Sequence, residues 1–133
     1  MRRRCPRSLP LGPARLGGYA LRIALPRRAP EGPGWATAAP SPGAAVPGAL
    51  YRLHRGDLEA LDRYEGYPDL YLREELPVEA GGGEVRALLY RMRGPLRPAK
   101  PGADYVETLR EGYRDFGLPM EVLEEALREA EIP

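Results

Sequence analysis

Asparagine and glutamine are absent from this chain, and lysine, histidine and cysteine occur once each. The lone Cys5 excludes an intrachain disulfide and a cysteine-rich zinc site, and makes the cytosol the simplest compartment. The lone His54 has no second histidine or cysteine near it, so no metal site is expected and the residue reads as a surface group at the end of a strand. Ser8 and Ser41, the two serines, stand in expected loops without the context of a nucleophile elbow. Gly81 to Gly83 lacks the lysine and following serine or threonine of a phosphate-binding loop. Long apolar runs are missing too: nothing approaches the length needed to cross a membrane. The stretch SLPLGPARLGGYALRIAL is broken by Gly, Pro and Arg where a secretory signal needs a continuous apolar segment.

What the chain does contain is 133 residues, enough for one domain, 1–133, to bury a core without staples. Its positive charge is almost all arginine, and 16 Pro accompany 16 Gly. Loss of thermolabile amides together with proline-rich loops fits a thermophile, and a GC-rich genome produces much of the same bias. Charge is unevenly placed: residues 1 to 30 carry eight arginines and no acid, and the remaining 103 carry 12 basic and 19 acidic groups. Such a segment is a nucleic-acid contact, a targeting peptide or the basic side of a fold. Nucleic-acid binding would call for aromatics between the arginines, and Tyr19 alone is available, so neither nucleic acid nor membrane is expected as a partner.

Periodicity puts strands first and helices last. Residues 19–27, YALRIALPR, alternate strictly, with Tyr19, Leu21, Ile23 and Leu25 on one side, and predict a half-buried strand. GWATAAP (34–40) and AVPGALYRL (45–53) predict two short strands joined by a turn at Ser41-Pro42-Gly43. DLEALDRYEG, with acids at its start and Gly66 as a stop, predicts a helix of about two turns. YLREELPVEA (71–80) and EVRALLYRMR (84–93) flank three glycines, a hairpin signal. PLRPAKPG is expected to be irregular. Two helices follow: one with Tyr105, Leu109, Gly112 and Phe116 on a common face, closing at Gly117-Leu118-Pro119, and one carrying Leu123, Ala126, Leu127 and Ala130 at helical spacing.

Within LDRYEGYPDLY, Glu65 stands directly before a glycine at the predicted C-terminal end of the first helix. The negative end of the helix dipole disfavours a carboxylate there and raises its affinity for a proton. That suits a group that must accept and return a proton, although most glutamates are solvated surface charges. Tyr64, Tyr67, Tyr90 and Tyr113 read as rings that are buried with their hydroxyls wet or paired, and no role is assigned to them.

Three stretches in order resemble the gamma-glutamylcyclotransferase family. GWATAAPSPGAAVPGALYRL is similar to the family's Gly-x-Ala-Thr strand leading through Pro-Gly into Val-x-Gly, and DLEALDRYEGYPDLY to its helix ending in Leu-Asp-x-x-Glu-Gly with a tyrosine shortly after. ADYVETLREGYRDFGLP resembles its tyrosine-containing helix that closes in Gly-Leu-Pro, so the likeness covers residues 34 to 119. The resemblance implies an α+β fold: a curved mixed sheet or small barrel, a short helix at its mouth and two C-terminal helices packed outside. It also implies that Glu65 is the catalytic acid/base and that Tyr71 and Tyr105 are substrate-binding residues, the three lining one cavity. Family members open with a strand ending in a Tyr-Gly-Ser-Asn loop that holds the glutamyl group. No such tetrapeptide occurs in these 133 residues, and the expectation is that the first strand is missing because the start codon has been placed too late.

The reaction the resemblance implies is attack of a γ-glutamyl α-amine on its own γ-carbonyl, giving 5-oxoproline and a free amine or amino acid. One carboxylate serves both proton transfers, and neither cofactor nor metal is required. The expected partner is a small γ-glutamyl compound. Two other readings fit the same residues: a cyclotransferase acting on γ-glutamyl amines or carrier-bound γ-glutamyl groups, and a non-catalytic binding module on the same fold.

Overall fold

The computed structural model describes residues 8–65 and 71–131, with the side chains of Arg55, Tyr64 and Glu65 outside the description. In chain order the elements are β1 (Leu9–Pro26), β2 (Trp35–Arg52), α1 (Arg55–Glu65), β3 (Tyr71–Ala80), β4 (Gly83–Met92), β5 (Leu96–Pro98), α2 (Ala103–Asp115) and α3 (Met120–Ala130). The architecture is the expected α+β, a curved sheet in the order β2-β1-β3-β4 with β5 beside β1, and every pairing among the described residues is antiparallel.

The first strand is longer and more deeply covered than its alternation suggested. It begins at Leu9, and Leu21 and Ile23 on one face pack against Ala126, Leu127 and Ala130 of α3 and Leu109 of α2. Ala20 and Ala24 on the opposite face are also buried, so the segment is covered on both sides rather than half-buried. Alanines on one face of β1, Ala20 and Ala24, and on the facing side of α3, Ala126 and Ala130, let both layers approach the same strand closely.

Residues 34–53 do not fold as two strands with a turn between them. They form the single strand β2, paired with β1 from Leu9↔Arg52 to Ala24↔Trp35. Ser41-Pro42-Gly43 acts as a bulge: Gly17 pairs with Ala45 and Tyr19 with Pro40, so four residues of β2 stand opposite Gly18 alone. Gly18 and Gly43 both take φ of 83°, a conformation that favours glycine, and Pro42 has no N–H to lose from the ladder.

The predicted hairpin is present with a two-residue loop. Ala80 pairs with Gly83, and Gly81 (φ 58°) and Gly82 (φ 79°) supply the two positive φ values of a type I′ turn. Leu96–Pro98, expected to be irregular, instead pairs with Ala24–Pro26 as the short strand β5. Proline is tolerated there because β5 pairs along one edge only.

Both C-terminal helices form where predicted. The Leu118 N–H bonds the Tyr113 carbonyl at 2.8 Å and the Gly117 N–H the Arg114 carbonyl at 3.2 Å, with Gly117 at φ 63°, which is a Schellman cap. Leu123, Ala126 and Ala130 are the buried face of α3, with Leu123 fully enclosed. Arg110 of α2 forks onto Glu124 of α3 at 2.9 and 3.2 Å.

Candidate functional site

Helix α1 starts on a reciprocal cap. His54 precedes the first helical residue, its Nδ1 accepts the Gly56 N–H at 3.3 Å, and the Asp57 carboxylate accepts the His54 N–H at 3.0 Å. This is a capping box with histidine in place of serine or threonine, and it buries Asp57. His54 is exposed, as expected, and its ring nitrogen completes the helix start.

The other end of α1 is joined to the β3–β4 hairpin. One oxygen of the Asp62 carboxylate accepts a hydrogen bond from Arg73 Nη1 of β3, and the other accepts one from the Tyr90 hydroxyl of β4. Arg73 and Tyr90 are directly opposed across the hairpin, so the two donors come from one rung. Partial burial alone would raise the Asp62 pKa. The bonds from Tyr90 and Arg73, with the guanidinium charge, outweigh it and hold the carboxyl below the usual range. Tyr90 moves the other way: burial and the neighbouring carboxylate raise its hydroxyl pKa, so it stays a proton donor.

From the hairpin the connections run on to the two tyrosines expected at the site. Tyr71 begins β3, is half-buried and pairs with Met92. The Met92 N–H donates to Thr37 Oγ1 at 3.0 Å, with both residues buried. One residue earlier in β2, the Ala36 N–H donates to the Tyr105 hydroxyl at 2.9 Å, and the Tyr105 ring meets Trp35 edge-on with centroids 4.8 Å apart. Tyr71 and Tyr105 are therefore joined through Met92, Thr37 and Ala36. Beside them Arg91 of β4 bonds Glu74 of β3 and lies over the Tyr19 ring, 5.2 Å from its centroid.

Glu65 ends α1, one turn beyond Asp62, and its backbone position is the expected one. Its side chain lies outside the described residues, as do Gly66 to Leu70, including Tyr67. A cavity of about 610 Å³ lies between β1, β2, α1 and the hairpin, walled by Leu16, Leu50, Leu58, Leu61, Leu76 and Tyr90 among others. A second, of about 400 Å³, is bordered by Arg22, Arg91, Met92 and Arg97, and a third, of about 540 Å³, by the Gly81–Gly83 loop and the α2–α3 turn. None of the three is lined by Tyr71 or Tyr105. Among the described residues no group of three or more His, Cys, Asp or Glu side chains is placed to hold a metal ion. No helix there is long and apolar enough to cross a membrane.

The Asp62–Arg73–Tyr90 cluster was not singled out from the sequence, although a signal was present. A two-residue loop at Gly81-Gly82 sets the register that opposes residue 73 to residue 90. Only the docking of α1 against that rung lay beyond reach of local pattern.

A profile of the family described as Gamma-glutamyl cyclotransferase, AIG2-like matches residues 1–113. Among solved structures, an uncharacterized protein from Homo sapiens is similar with 27% identity and a TM-score of 0.83, over 94% of this chain and 76% of that one. A structure titled gamma-glutamyl cyclotransferase gives 26% identity and a TM-score of 0.83 over the same shares. YkqA from Bacillus subtilis is 28% identical with a TM-score of 0.78, over 93% of this chain and 45% of its own. No curated protein sequence matches.

Proposed function

Because the chain belongs to the Gamma-glutamyl cyclotransferase, AIG2-like family, we infer that it cyclises a γ-glutamyl group to 5-oxoproline and releases an amine or amino acid, with Glu65 as the general acid/base. The observation that carries this reading is the placement of Glu65 at the end of a helix fastened through Asp62 to the hairpin that begins with Tyr71. A proton acceptor is needed because the substrate α-amine, with a pKa near ~8, attacks only after losing a proton. Glu65 takes that proton as the C–N bond to the γ-carbonyl forms, and returns it to the leaving nitrogen as the old C–N bond breaks. Atoms balance without water or a co-reactant.

Nucleophile and carbonyl belong to one molecule, so holding the curled conformer supplies much of the acceleration. Tyr71 and Tyr105 bind the substrate in this reading, by donating to its carboxylate or by walling its pocket. Tyr105 is supported for that part by the anchoring of its oxygen to the Ala36 N–H and of its ring to Trp35, which leaves it little freedom to reorganise. The activity is placed in the cytosol, on the strength of the lone Cys5.

The test is release of 5-oxoproline from γ-glutamyl dipeptides and γ-glutamyl amines. Glu65→Gln keeps the shape of the side chain and removes the base, so turnover is expected to fall at least ~10²-fold, the lower end for a positioned acid/base. Turnover within a few-fold of the parent on every substrate would return Glu65 to the class of solvated surface charges.

A further inference from the structure

Among the described acidic residues Asp62 stands out because its two oxygens are engaged by donors from two different strands. An exposed ion pair with one bond contributes little, since two long side chains must be held in one geometry. Here Asp62 and Arg73 are only about a quarter exposed, at 24% and 27%, and the Tyr90 hydroxyl adds a charge-assisted bond on the second oxygen. A carboxylate held at both oxygens cannot rotate, so the contact fixes an orientation as well as a distance.

Its location gives that rigidity a use. Asp62 is three residues before Glu65, which on a helix is the same side and a rise of about 4.5 Å. Arg73 is two residues after Tyr71, which on a strand is the same face and about 6.6 Å along it. The joint therefore lies one helical turn from one candidate site residue and one pleat repeat from another. The chain between them runs through residues 66–70, so the Asp62 contact ties the two elements together independently of that connection. Leu61 supplies apolar burial beside it, and apolar burial is not directional.

We propose that Asp62, clasped by Arg73 and Tyr90, is a positioning residue that holds the last turn of α1, and with it Glu65, in fixed relation to Tyr71 on β3. The role in turnover rests on the cyclotransferase reading, and the clasp itself does not. Asp62 touches no reacting atom; it acts through the placement of Glu65.

Tyr90→Phe removes one hydroxyl without changing the ring, and Asp62→Ala removes the acceptor. The first experiment is amide hydrogen exchange on the full chain without substrate. Exchange in residues 58–65 is expected to speed up by at least ~10-fold in both variants, a local opening distinct from global unfolding. The second is steady-state release of 5-oxoproline: kcat should fall ~10-fold or more with KM within a few-fold, and the double variant should be scarcely worse than Asp62→Ala, because both changes break one contact. A residue that merely stabilises the fold would lower Tm without that kcat-only pattern or that non-additivity. Unchanged exchange in residues 58–65, or turnover within twofold of an active parent, would overturn the proposal. A parent that releases no 5-oxoproline, with or without an added upstream segment carrying Tyr-Gly-Ser-Asn, and with α1 exchange accelerated in both variants, would overturn the cyclotransferase reading and leave the clasp standing.

Discussion

Asp62 connects the proton chemistry of single residues to the stability of the fold. Its folded pKa is depressed, chiefly by Tyr90 and Arg73 acting against burial, whereas an unfolded aspartate titrates near ~3.9. The bond network therefore stabilises the folded state fully above about pH 5 and is lost as pH falls through the depressed folded value. Asp62→Asn should flatten the acid limb of a stability curve measured by urea unfolding between about pH 3 and 6, with little change in slope above that window. An acid limb as steep as the parent's would show that other carboxylates carry it. The tyrosines separate at this scale: Tyr90 is paired, and Tyr105 accepts a backbone N–H. Tyr113 is buried, its hydroxyl has no partner among the described residues, and burial pushes its pKa up to about 12. Composition alone treats these as equivalent rings, because what distinguishes them is the atom each hydroxyl meets.

At the scale of elements, the junction of β2 with β5 shows why a short motif has a physical basis. Gly34, which opens the Gly-Trp-Ala-Thr stretch, would place a Cβ 2.0 Å from the Ala99 carbonyl oxygen and 2.8 Å from its carbon. The opposing backbone cannot move away cheaply, since the Gly34 N–H bonds the Lys100 carbonyl at 3.0 Å and the Ala99 N–H bonds the Ile23 carbonyl at 3.3 Å. Gly34→Ala should destabilise by about 3 kcal/mol or more, a Tm loss on the order of 10 °C by differential scanning calorimetry. Gly32→Ala, where the new methyl meets nothing within 4 Å, should stay within about 0.5 kcal/mol of the parent. Equal effects at the two positions would mean that the close approach at Ala99 does not constrain the fold. The same junction turns Leu96–Pro98 into a strand, which its own proline content argued against.

For the whole molecule, the uneven charge resolves in part into contacts between distant parts of the chain. Arg15 meets Glu79 at 3.5 Å and Arg22 meets Glu129 at 3.2 Å, so two arginines of the basic segment face acids of β3 and α3. The β1–β2 ladder can zip from Ala24↔Trp35, but Ala24↔Pro98 and Arg15↔Glu79 join distant parts of the chain, and that loop entropy must be spent before β5 and β3 pair with β1. Refolding after dilution from denaturant, followed by stopped-flow Trp35 fluorescence, should take about milliseconds to seconds, as for other domains dominated by non-local strand pairing. A dominant phase in microseconds would contradict a sheet completed by the β1–β5 and β1–β3 pairings across those separations.

Periodicity by itself determined the hairpin, both C-terminal helices and the short helix that ends at Glu65, because each depends on neighbours within a few residues: alternation, glycine at positive φ, a Schellman cap. It also placed Glu65, Tyr71 and Tyr105 on separate elements. Only the tertiary structure decided that β2 runs unbroken through Ser41-Pro42-Gly43, since a bulge and a turn share the same residues and differ in what stands opposite. Likewise only packing made Leu96–Pro98 a strand, covered β1 on both faces, and brought Asp62 to the rung formed by Arg73 and Tyr90. Those outcomes depend on surfaces that meet across tens of residues, and no window of sequence contains both sides of such a contact.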